Sequence, residues 1–453
     1  MKIPFRLMLL LALGAFACNA WAADVSVTLP PGTIVPDAAQ PGPDFDPEAA
    51  TEAYLALYTP EQRARSDAYF EGGYWLQLWN WLAGIAVAAL MLRFGWAARM
   101  RDWAARRSSK PWIQTFLFVV AFLALLWLLT LPLAVYQGYF REHQYGSSNL
   151  TLGGWFVEGL IGLAFTLVGA GLFITLLYSL VRKAGDRWWA WATAATFAFI
   201  LFVVTVTPVF INPAFNDYKP LPEGETREAI LSMARANQIP ADNVMWFDAS
   251  KQTKRISANV AGMFGTTQIS LNDNLLDKTS LPEIKAVMAH EMGHYVLNHG
   301  LRHTVYLSLL YGLGFLILDR VLTALLARHG ERWRIGGRGD PASLVVAFAV
   351  LSTYLLLAQP LFNRIIYAGE VEADIYGLNS AREPYGFATV AMRLGSYRKL
   401  EPGPIETFLF YDHPSGRERV RMSMEWLKEN QALFRQRPAV TDIDGESATP
   451  ATH

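Results

Sequence analysis

Two histidines four residues apart, His290 and His294, enclose a glutamate in the run Ala289-His290-Glu291-Met292-Gly293-His294. On a helix that spacing stacks both imidazoles one turn apart on one face, where they can reach a single metal ion. Zinc accepts neutral imidazole in tetrahedral geometry and leaves a place for water. Glu291 flanks the pair, so its carboxylate can take a proton from that water. Surface or core histidines on an amphipathic helix can share this spelling. Here the run follows a proper helix start: Ser280 as N-cap, Pro282 inside the first turn and Glu283 three residues on.

A zinc ion that does chemistry needs a third protein ligand. The one cysteine, Cys18, lies far away in an N-terminal apolar run. The other histidines are His143, His299, His303, His329, His413 and His453. His299 and His303 read as a continuation of the same helix, too far along its axis at about 1.5 Å per residue to share the ion. The cluster Glu370-Val371-Glu372-Ala373-Asp374 is the better source. Glu370 and Asp374 share a helical face, whereas Glu372 points elsewhere. One of the two can bind the metal while the other orients a ligating imidazole, and the pattern leaves the choice open. The ordinary alternative is an acidic first turn favoured by the helix dipole.

The elements that must hold these residues are mostly apolar. Of 453 residues, 52% are of the AVILMFWYC set and only 17% are charged, against about 25% charged in soluble domains. Thirty-nine basic residues balance 39 acidic ones with no basic block, which argues against a nucleic-acid partner. A single cysteine excludes a disulfide scaffold and an iron–sulfur cluster.

Six stretches approach the ~20 apolar residues a bilayer demands: Tyr74 to Leu92, Trp112 to Val135, Trp155 to Val181, Trp188 to Ile211, Thr304 to Ala327 and Ala342 to Phe362. The expected fold class is therefore mainly α, a polytopic integral membrane protein with six transmembrane helices and the lipid bilayer as a partner. Arginines and lysines concentrate between spans one and two, three and four, and five and six. The positive-inside rule makes those loops cytoplasmic. Met1 to Ala22 has the layout of a secretory signal, or else of an uncleaved anchor. Both features put the histidine motif on the outer, periplasmic side of a bacterial inner membrane.

The chain divides accordingly. Residues 1–22 are the signal, 23–58 a solvated linker rich in Pro, Asp and Ala, and 59–211 a four-span membrane domain. Residues 212–303 form a small α/β unit carrying the histidine motif. Within it Arg227 to Asn237 reads as an amphipathic helix, and Val244 to Asp248, Ala258 to Gly262 and Gln268 to Leu271 as strands, the last two joined by a turn at Gly265. Two spans follow over 304–362, then a segment 363–429 with the third ligand, then a polar, disordered tail from 430 to 453.

Taken together, His290 to His299, Glu370 to Asp374 and His413-Pro414 resemble the membrane-embedded zinc endopeptidases of the CAAX prenyl protease 1 type. The likeness extends through Ser257 to Gly262, Leu271 to Leu276 and the approach Tyr58 to Trp75. The resemblance implies a zincin-like catalytic unit with a small sheet presenting an edge strand. It implies one zinc per chain held by His290, His294 and Glu370, with Glu291 activating the water and Asp374 standing behind the ligands. It implies that Asn259, Val260 and Ala261 hold extended substrate, as strand addition does, and that His413 and Arg419 contact substrate and the developing oxyanion. The expected activity is peptide hydrolysis of membrane-associated, lipid-modified or misfolded proteins. A transporter or scaffold with a structural metal site is the alternative. Glu158 and the Asp319-Arg320 pair are costly in lipid and are expected to face a protein interior or cavity, or to form structural pairs.

Overall fold

In the computed structural model the described residues are 29–262 and 267–434. The expected signal, the turn at Gly265 and the tail beyond residue 434 lie outside them.

The first helix, α1 (Pro47–Leu55), begins where Asp46 accepts from the Glu48 amide and Pro47 presets the first turn. Residues 29–58, expected as a solvated linker, are instead packed. Tyr54 and Leu55 are fully buried against Met392, Val420 and Met424. The Tyr58 hydroxyl donates to the Met392 carbonyl at 2.8 Å. The composition is loop-like, but two tyrosines and a leucine at helical spacing supply an apolar face that the C-terminal helices cover.

Thr59 opens α2 (Pro60–Arg93) with a capping box, its amide bound to the Gln62 side chain at 3.0 Å. Next come the short basic helix α3 (Trp96–Arg107), then α4 (Pro111–Val135), α5 (Leu152–Lys183) and α6 (Trp188–Val206). With the later pair, six helices among the described residues are long and apolar enough to cross a membrane. The basic loops gather at one end, where Arg101 meets Asp340 at 2.8 Å and Arg338 meets Asp186 at 3.1 Å. At the other end the loop after α4 joins the α/β unit. Asn149 donates to the Ser250 carbonyl at 2.7 Å, and Gln252 to Glu158 at 2.8 Å. Glu158 thus sits at the rim, bonded to the α/β unit. Asp319 is buried among Trp188 (2.7 Å), Arg320 (2.8 Å) and Arg338, a structural cluster at the basic end.

The α/β unit is a four-stranded mixed sheet of β1 (Tyr218–Pro220), β2 (Val244–Phe247), β3 (Ala258–Ala261) and β4 (Gln268–Asn272), in the order β1-β2-β4-β3. Helix α7 (Glu225–Ala236) buries Ile230, Leu231 and Ala234 against it. β3 and β4 are antiparallel, with Asn259 opposite Ser270. β1 was not legible in the sequence: three residues containing Lys and Pro carry no alternation. Being terminal in the sheet, β3 leaves one edge free of strand pairing among the described residues.

After α8 (Asp273–Lys278), Ser280 caps α9 (Leu281–Val296), its amide bound to Glu283 Oε2 at 2.9 Å. Asn298 then takes a left-handed conformation (φ 54°) and α10 (His299–Trp333) starts in a new direction. Asn tolerates this region because its short polar side chain bonds locally. The expectation of one continuous helix through His303 is corrected by that single residue.

Next are α11 (Leu344–Ala381), α12 (Pro384–Leu394), α13 (Pro404–Phe410) and α14 (Gly416–Glu429). Asn430 leads into a short turn, Gln431–Leu433, with the Phe434 ring near Tyr385, so this part of the expected tail is folded. Two glycines let α9 and α11 touch. A Cβ on Gly377 would come within 3.0 Å of the His290 amide nitrogen, and one on Gly293 within 3.3 Å of the Ala373 Cα.

Candidate metal centre

This close crossing brings Glu370 of α11 over the two histidines of α9. Glu370 stands 3.4 Å from His290 Nε2 through Oε2 and 3.3 Å from His294 Nε2 through Oε1. The two Nε2 atoms are 3.1 Å apart. Zinc–nitrogen bonds of about 2.0–2.1 Å set tetrahedral edges of roughly 3.3 Å, so three imidazole and carboxylate donors have the separations of one tetrahedral face. Among the described residues these are the group able to hold an ion. Cysteine contributes nothing to it.

Asp374, one turn beyond Glu370, lies 2.7 Å from His290 Nδ1 through Oδ1. That contact turns the His290 Nε2 lone pair toward the donor set. The two carboxylates differ in placement: Glu370 faces both Nε2 atoms and Asp374 backs one ring. Burial pulls the His290 pKa down, but the Asp374 hydrogen bond and Glu370 outweigh it and raise it to about 10. The site attracts positive charge, proton and metal alike. Burial also pushes the Glu291 carboxyl above its usual range, against the pull of His290 and His294.

Arg419 is buried and donates through Nε to Asp374 Oδ2 at 2.8 Å and through Nη2 to Glu370 Oε2 at 3.1 Å. His413 contacts Glu370 Oε2 through Nε2 at 3.3 Å and Asp412 through Nδ1 at 2.7 Å. Both therefore lie against the metal-ligand candidates, and both line one cavity with His290, Glu291, His294 and Glu370. Ile256, Ser257 and Ala258 form part of its wall, and Asn259, Val260 and Ala261 continue along β3 beyond it.

Sequence reasoning missed His299. The Asn298 turn folds it back so that its Nδ1 lies 2.7 Å from His294 Nδ1. Its Nε2 is 3.2 Å from Glu372, whose carboxylate also takes Arg302 at 2.6 Å. Nothing in the apolar and histidine pattern around Asn298 announced that turn.

Two family sequence models match the chain. One, described as CAAX prenyl protease N-terminal, five membrane helices, covers residues 47–217, and the other, peptidase family M48, covers 220–426. The first includes α1, in line with its packed state. Uncharacterized metalloprotease YhfN of Bacillus subtilis is 28% identical over 337 residues, 73% of this chain and 78% of that protein. CAAX prenyl protease 1 of Saccharomyces cerevisiae is 24% identical over 371 residues, 78% of this chain and 79% of the yeast protein. The crystal structure of S. mikatae Ste24p shares the fold, with a TM-score of 0.65 at 22% identity, covering 81% of this chain and 89% of that one.

Proposed function

The chain belongs to peptidase family M48 and is an integral-membrane metalloprotease, and from that premise we propose that its metal is a single zinc ion held by His290, His294 and Glu370. The tetrahedral spacing of those three donors carries this reading. Zinc, when bound, supplies a Lewis acid that polarises the scissile carbonyl and eases deprotonation of water. Glu291 accepts that proton and passes it to the leaving nitrogen. Asp374 and His299 fix the rings of His290 and His294 from behind. Arg419 and His413 place positive donors where charge develops on the carbonyl oxygen. The free edge of β3, with Asn259, Val260 and Ala261, aligns an extended peptide beside the cavity.

The substrates in this proposal are peptides of membrane-associated, lipid-modified or misfolded proteins. The location is a bacterial inner membrane with the cavity on the periplasmic side, because the basic loops gather at the opposite end. A scaffold or transporter has no use for a half-buried glutamate beside the donors. The reading is tested by purifying the protein in lipid nanodiscs, measuring bound metal and assaying cleavage of a peptide library. Stoichiometric zinc with chelator-sensitive cleavage is expected. Zinc-free protein that cleaves as well as the loaded form would overturn it.

A further inference from the structure

The cavity holds one cation whose carboxylate is missing. From Arg393 to Arg421 the chain carries six basic side chains, and five of them are paired. Arg393 meets Glu283, Lys399 meets Glu71 and Glu406, and Arg417 meets Glu48, Glu52 and Glu401. Arg419 is bound by Asp374 and Glu370, and Arg421 by Glu425. The sixth, Arg398, has no side-chain hydrogen bond or ion pair among the described residues, and it lines the same cavity as His290, Glu291 and Glu370. Its backbone is fixed: the Ser66 hydroxyl donates to the Arg398 carbonyl at 2.9 Å. A guanidinium is always charged and its planar fork matches a carboxylate. Of the carboxylates in and beside the cavity, Glu370 and Asp374 are engaged by the histidines and Arg419, Asp412 is engaged by His413, and Glu291 forms no ion pair with Arg398 among the described residues. The charge of Arg398 is therefore left over for whatever enters.

We propose that Arg398 is the anchor for a substrate carboxylate, supplied by the peptide's C-terminus or by an acidic side chain. The proposal rests on the protease reading and names a feature of its substrate. A charge-assisted bidentate pair in a half-buried cavity supplies selectivity of about 10- to 100-fold.

The test uses one cleavable peptide in three forms: a free C-terminal acid, a C-terminal amide, and the amide with glutamate as last residue. Full-length wild type, Arg398→Gln and Arg398→Lys are compared, with bound metal measured for each. Wild type is expected to show a KM about 10- to 100-fold lower for one or both carboxylate forms than for the plain amide. In Arg398→Gln that preference collapses toward one at unchanged metal content, and Arg398→Lys recovers part of it. Which carboxylate form loses most identifies its source. A wild type without preference, or an Arg398→Gln protein that keeps it, overturns the proposal. The same three peptides are also titrated onto Glu291→Gln protein. Lack of turnover by wild type counts against the protease reading, whereas lack of carboxylate discrimination in binding to Glu291→Gln protein counts against Arg398.

Discussion

His294 and His299 face each other through their Nδ1 atoms at 2.7 Å, across the left-handed turn at Asn298. Only one of the two atoms can carry the proton. If His294 donates, its Nε2 lone pair points at His290 and Glu370, and His299 must then carry its own proton on Nε2, facing Glu372. Arg302 holds Glu372 in place.

Removing the acceptor should therefore loosen the metal. His299→Leu is expected to weaken zinc affinity about 10- to 100-fold, the usual scale for partners behind a ligand. Asparagine keeps an acceptor at the Nδ1 position, so His299→Asn should recover most of the affinity. Chelator competition reads both; equal losses in the two variants would refute the orienting role.

For Glu291 the expected separation is between binding and turnover. Glu291→Gln should retain zinc while cleavage falls about 10²- to 10⁴-fold, the contribution of general acid–base catalysis. Metal analysis and single-turnover cleavage check this. A variant that loses both together would assign Glu291 to metal holding instead.

Proton and metal compete for His290. Its imidazole must be deprotonated to bind zinc, and Asp374 and Glu370 lift its pKa to about 10. Lowering the pH through the neutral range should thus weaken zinc binding by about tenfold per unit for one displaced proton. The sign is fixed: affinity rises with pH until it passes the raised value. Chelator competition at three pH values measures the slope, and a flat profile would contradict the proton count.

The packed N-terminal segment gives a stability prediction. Tyr54 is fully buried and its hydroxyl donates to the Ile34 carbonyl at 2.8 Å. Tyr54→Ala should cost about 3–5 kcal/mol, as large aromatic truncations in cores do. Thermal unfolding in detergent tests this; a melting temperature unchanged from wild type would restore the solvated-linker picture.

Orientation is open to direct labelling. Cysteines placed at Ser108 and at Gly403, in a Cys18→Ser background, lie at opposite ends of the helix bundle. An impermeant maleimide added to intact cells with a permeabilised outer membrane should reach position 403 and not 108. The reverse pattern would invert the proposed topology.

Legibility in the sequence followed how local the determining physics was. The spans were readable because about 20 apolar residues have few other destinations. The start of α9 was readable because Ser280 and Glu283 cap it within four residues. His290, His294 and Glu370 converge as the motif and the acidic cluster suggest. The Asn298 turn was not readable, because an apolar and histidine pattern runs smoothly across it. The role of residues 29–58 was hidden for a different reason: their partners, Met392 and Val420, lie more than 300 residues downstream. No window of sequence contains both sides of that contact.

The Arg393 side chain reaches Glu283 at the head of α9 and also the carbonyls of Pro30 and Gly32, at 2.9 and 2.8 Å. During synthesis the N-terminal segment and α9 emerge first and Arg393 long after them. The clamp on the metal-bearing helix cannot close until translation has passed that residue and all three parts have reached the same side of the bilayer. The contact that ties the N-terminal segment to the helix bearing His290 and His294 is therefore completed by a residue that follows all six of the described spans in the chain.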